Sequence, residues 1–157
     1  MERRALMNKS RPALTLSFIL CYIALGGVAL LSVFLYPLLK HYVFEYSVKP
    51  ELSEHMGIML VLLYVALAIA AVTIISLLRL LTVVKRGQIF SEISLKLVTV
   101  IGCFVIAEAL PLAAMGCFFL LSLAVAYVSA TIGLCLLVVR GILKEAIDIK
   151  SENDATI

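Results

Sequence analysis

At 157 residues, 64% hydrophobic, 15% charged and without tryptophan, the chain lies far from the make-up of a soluble domain, where apolar residues reach about half. Its net charge of +3 is small and is accounted for by where the basic residues fall, so charge implies no direct nucleic-acid partner. A soluble enzyme or nucleic-acid-binding module is excluded, and the partner that composition implies is the lipid bilayer.

Three apolar runs carry this reading. Pro12 to Leu39 and Met56 to Leu78 are charge-free over 28 and 23 residues, each longer than the roughly 18 that mark a transmembrane helix. Leu97 to Val139 runs for 43 residues with one charge, Glu108. As one straight helix it would be about 64 Å long, twice the roughly 30 Å of a bilayer core. It therefore has to fold back as two spans, with a very short turn between Pro111 and Gly116. The fold predicted is an all-α membrane protein, a four-transmembrane-helix bundle with spans at about 12–36, 55–84, 94–112 and 117–143 and a tail at 144–157.

Taken in order, residues 1–11 form a basic arm (Arg3, Arg4, Lys9, Arg11) suited to anionic headgroups. Pro12 fits a first helical turn, and Pro37 is expected to end span one. The first run is too long for a signal peptide. Leu20 before Cys21 is too large for a lipoprotein cleavage site. Gly26 and Gly27 permit close approach of a neighbouring helix. The loop from Pro37 to Glu54 brings His41 within four residues of Glu45, and Glu51, Glu54 and His55 follow. Its spacing matches no metal cage and reads as a solvated loop. Tyr36, Tyr42 and Tyr46 suit the membrane interface.

Span two contains Ala66 and Ala70, a small-xxx-small pair expected at a helix–helix contact. In the connector after it, Lys85 and Arg86 complement a helix C-terminus and Gly87 can close the helix in a left-handed conformation. Phe90 suits the interface, and Ser91 is an N-cap for span three with Glu92 in its first turn. Glu108 should sit deep in that span, at a cost of at least about 2.5 kcal/mol on insertion scales. Pro111 cannot donate to the carbonyl of Ala107. The two read either as the satisfied broken end of a short helix or as a proton or ligand site.

Span four carries Ser122, Ala126 and Ala130 in one row, with Ser129 and Gly133 alongside, a packing face expected to meet span one or two. Past Arg140 the helix should continue with Ile142, Ala146 and Ile149 as a narrow apolar stripe among Lys144, Glu145, Asp148 and Lys150. Ser151 to Ile157 is polar and expected to fray. The cysteines, Cys21, Cys103, Cys117 and Cys135, all fall inside spans and read as small packing residues. Isolated Ser and Thr should bond back to their own helices. Four spans put 11 of the 13 Lys and Arg residues on one side, which predicts cytosolic termini and a multi-pass protein of a bacterial cytoplasmic membrane. Three spans would strand Arg140, Lys144 and Lys150 outside.

Two stretches resemble a known family. The connector Arg86-Gly87-x-x-Phe90-Ser91 and the closing Ser151-Glu152-Asn153-Asp154-Ala155-Thr156-Ile157 are similar to the YoaS-like family, small bacterial four-span membrane proteins catalogued as a domain of unknown function. Departures are Ala146, where members tend to have glycine, Ala155, where they tend to have leucine, and a shorter turn between spans three and four. Members are often encoded beside a small helix-turn-helix regulator. The resemblance thus implies a membrane anchor or sensor that contacts such a cytosolic regulator through Arg86, Gly87, Phe90, Ser91, Glu152, Asn153, Asp154, Thr156 and Ile157. The alternative is a small transporter or channel subunit using Glu108, which with so few buried polar groups would have to be a homo-oligomer. No catalytic pair and no cofactor pattern is present, so an enzyme is not expected.

Overall fold

A computed structural model describes the backbone of residues 2–41, 55–87 and 91–155 and the side chains of 12–41, 55–87, 91–149 and 152. Four α-helices account for these residues, and no strand occurs among them: α1 Glu2–His41, α2 Met56–Lys85, α3 Glu92–Met115 and α4 Leu120–Ala155. All four are long and apolar enough to cross a membrane. With no water in hydrocarbon to bind free N–H and C=O groups, an unbroken helix is the conformation that leaves each span's backbone satisfied.

That constraint overrides the proline signals. Pro12 and Pro37 lie within α1, and Pro111 lies within α3. α1 begins ten residues before Pro12 and passes Pro37 to His41; at Pro37, losing one N–H costs less than exposing a whole turn of backbone in lipid. α3 likewise passes Pro111 and stops at Met115. The fold-back is therefore at Gly116–Phe119, where the bonds tighten to i→i−3: Gly116 N–H to the Ala113 carbonyl at 2.9 Å and Phe118 N–H to that of Met115 at 2.9 Å. A Cβ on Gly116 would come within 2.8 Å of the Ala113 carbonyl. In the tail, α4 is helical through Ala155, and Thr156 and Ile157 lie outside the described residues.

The helices pack in chain order: α1 on α2, α2 on α3 and α3 on α4. α1 meets α2 antiparallel. The Tyr64 hydroxyl donates to the Ser32 carbonyl at 3.0 Å, and the Lys85 ammonium sits 5.8 Å from the ring centre of Phe18. At the far end Leu39, Met59 and Met115 form a buried cluster flanked by Phe118 and Phe119, with the His55 ring 5.8 Å from that of Phe118. Ala66 is buried and Ala70 half-buried on α2, in keeping with the small-residue signal.

The tightest crossing lies between α3 and α4. A Cβ on Gly133 would stand 2.5 Å from Ile106 Cγ1 and 3.0 Å from the Gly102 carbonyl oxygen, and one on Gly102 would stand 3.3 Å from the Gly133 carbonyl. Backbones this close gain packing that larger residues forbid. The row containing Ala126, buried, and Ser122, Ser129 and Ala130, half-buried, thus accompanies a contact with α3, not with span one or two. The very short turn leaves α4 no nearer neighbour. Gly26 and Gly27 have nothing within 4 Å of a notional Cβ, so among the described residues no other helix packs closely on them. Cys21 is buried, but Cys103, Cys117 and Cys135 are exposed; lipid is apolar enough to hold them outside the core.

Opposite signs follow for two substitutions. Gly133→Ala should destabilise by about 1–3 kcal/mol through overpacking. Gly26→Ala, in open space, should be neutral or stabilise by up to about 1 kcal/mol through helix entropy. Thermal unfolding of both variants in the same detergent checks the contrast.

Candidate functional site

Two sets of residues carry the candidate chemistry, one inside the membrane-spanning region and one at a helix end. The first is built on α3. Ser94, Ile101, Glu108 and Met115 follow one another at seven-residue intervals and so share a side of the helix. Ser94, Ile101 and Met115 are buried, and Met115 packs with Met59 of α2. Glu108 therefore lies on the side of α3 turned toward α2. The antiparallel register that pairs Met59 with Met115 and His55 with Phe118 brings Ala66 level with it. Ala66 is buried and Glu108 half-buried.

Among the described residues no hydrogen bond or ion pair reaches the Glu108 carboxylate. The helix does not end at Glu108: α3 runs seven residues past it. Pro111, buried on the same helix, still withholds an N–H from the Ala107 carbonyl. The remaining span hydroxyls bond back as expected: Thr73 to Ile69 at 2.9 Å, Ser76 to Val72 at 2.8 Å, Thr99 to Leu95 at 2.8 Å and Thr131 to Tyr127 at 2.9 Å. Tyr64 is the exception, reaching a second helix.

The second set sits at the end where exposed cations gather: Arg79, Lys85, Arg86, Lys96, Arg140 and Lys144. Counting from the α2–α3 and α3–α4 contacts, Arg79, Lys96 and Arg140 fall level across three helices. From Lys96 to Met115 is about 29 Å of helix, and from Leu120 to Arg140 about 30 Å, the thickness of a bilayer core. Glu108 then lies about 18 Å from the basic level and about 10 Å from the end of α3.

The connector has the local structure its sequence implies. Arg86 caps α2, its N–H shared by the carbonyls of Thr82 and Val83 at 3.2 and 3.1 Å, and Gly87 has φ +78°. Ser91 is extended (φ −128°, ψ 152°) and its hydroxyl accepts from the Ser94 N–H at 3.3 Å, with Glu92 in the first turn. Phe90 lies outside the described residues, as do Tyr42, Glu45, Tyr46, Glu51 and Glu54 of the loop and Thr156 and Ile157 of the tail. Glu152, exposed, and the backbone of Asn153 and Asp154 belong to α4. Connector and tail share one end of the molecule. In the α3–α4 register Ser91 is level with Glu145, so α4 runs about 15 Å beyond the connector. On that extension Ile142 and Ile149 are 63% and 55% exposed, and Ala146 is half-buried.

Gly102 was not legible as a contact residue, although Gly102 and Gly133 stand symmetrically about the turn at Gly116–Phe119, a spacing that pairs them in any tight hairpin. Residues 15–157, nearly the whole chain, match the family described as a protein of unknown function, DUF2975. No curated protein and no solved structure matches it.

The connector's two local devices can be removed singly. Ser91→Ala should cost about 1 kcal/mol by loss of the cap. Gly87→Ala should cost about 1–2 kcal/mol because an L-residue is strained at positive φ. Circular-dichroism melts in detergent would register both, and neither should alter membrane insertion.

Proposed function

We propose that this chain, which belongs to the DUF2975 family of proteins of unknown function, anchors a soluble partner to the membrane, a binding role rather than a catalytic one. The observation that carries this is the extension of α4 past Arg140 to Ala155, about 22 Å of helix beyond the basic level. A polar tail with no task has no need of exposed Ile142 and Ile149 beside Lys144, Glu145, Asp148 and Glu152. Such a stripe suits a groove or helix face on another protein. The cations concentrated at this end support, by the positive-inside rule, a reading in which it is cytosolic, with both termini there and the bundle in a bacterial cytoplasmic membrane. The partner implied by the family's usual gene neighbour is a small helix-turn-helix regulator. It would meet the tail and the connector at Arg86, Gly87, Phe90 and Ser91.

Removal of residues 144–157 should abolish co-purification of the soluble partner while the truncated chain stays in the membrane. Ile142→Asp with Ile149→Asp should do the same without shortening the helix. Recovery of the same soluble proteins with and without the tail would refute the anchor.

A second reading, a small transporter or channel subunit acting as a homo-oligomer, is favoured by one observation: the Glu108 carboxylate has no partner among the described residues. Ion flux in proteoliposomes should fall to background in Glu108→Gln, and unchanged flux would remove this reading.

A further inference from the structure

Around Glu108 the described residues supply acceptors and no donor. Glu108 is half-buried and shares the side of α3 that carries Ile101 and Met115, and the neighbouring Ala107 carbonyl has lost its usual donor to Pro111. Each helix packed here can be searched for a titratable group to answer it. On α2 the nearest is Tyr64, whose hydroxyl is donated to Ser32 of α1; His55 is at the helix end against Phe118, and Arg79 is at the basic level. On α4 they are Tyr127, Cys135 and Arg140, with Cys117 in the turn before it, all exposed. On α3 itself they are Cys103 and Lys96, both exposed, Lys96 about 18 Å away. None is bonded to Glu108.

What Glu108 binds therefore comes from outside the described residues and must donate. A metal cation is a poor fit, because hard cations require six or so oxygens and no group of three or more His, Cys, Asp or Glu residues that could hold one occurs among the described residues. A proton needs one carboxylate oxygen. Water is nearest at the end opposite the basic residues, where α3 stops about 10 Å away. We propose that Glu108 is a proton-exchange site, charged and discharged from that end along the α2–α3 seam, with the Ala107 carbonyl as the second acceptor beside it. This rests on the site of the second reading and not on transport, so it stands or falls independently of any flux.

Dicyclohexylcarbodiimide, an apolar reagent that attacks protonated carboxyls, tests it on the full-length protein in liposomes. The carboxyl O–H adds across one C=N bond to give an O-acylisourea, which rearranges to a stable N-acylurea with nothing released. Peptide mass mapping should find the adduct on Glu108 and not at that position in Glu108→Gln. Its rate should fall about tenfold per pH unit once the carboxyl is mostly ionised. It should follow the pH on the side opposite the basic residues and be indifferent to sodium. Absence of an adduct at Glu108, a rate independent of pH, or slowing by sodium would each overturn the proposal. Because the mapping is made on the natural sequence, failure of the variant to fold would not blunt it.

Discussion

The lack of water in hydrocarbon is the constraint from which the remaining features follow. Every peptide group in a span needs an internal partner, so the chain forms four helices and keeps them intact through Pro37 and Pro111. The same pressure explains the hydroxyls of Thr73, Ser76, Thr99 and Thr131, each folded onto a carbonyl of its own helix. With side-chain polarity spent locally, cohesion between helices falls to shape. Gly102 against Gly133 is its clearest case, and the Tyr64–Ser32 hydrogen bond is a polar supplement at the α1–α2 seam.

Where the spans begin and end is set by a different force, the hydration of charge. The level shared by Arg79, Lys96 and Arg140 lies about one bilayer core from Met115 and Leu120. Long basic side chains can reach headgroups from a helix end, so a cation slightly inside the helix costs little. Glu108 has no such escape. It is shorter, it lies well within the spans, and it faces another helix.

Much of this was readable from residue types alone. Run length required four spans, and the 43-residue run required a hairpin. At the connector, Gly87 and Ser91 announced their own conformations because caps and positive φ are local properties. Helix ends misled wherever a proline stood near them. Proline breaks helices in water by offering the backbone a hydrated alternative, and lipid offers none. The neighbour of α4 was also hidden: a row such as Ala126 and Ala130 shows that a helix has a packing face but not which helix fills it. Only the four-residue turn at Gly116–Phe119, a property of the folded hairpin, assigns that face to α3. For Glu108 the depth was legible and the setting was not, since its seven-residue phase with Ile101 and Met115 acquires meaning only once Met115 is seen against Met59.

Because spatial order repeats chain order, no helix has to wait for a distant one. During synthesis α2 can settle on α1 as soon as it enters the bilayer, α3 on α2, and α4 last across its tight hairpin. Neighbour-only pairing keeps sequence separations short, the condition under which chains assemble quickly. The last helix to leave the ribosome carries its extension past the basic level, so that extension becomes available only after the other three are in place.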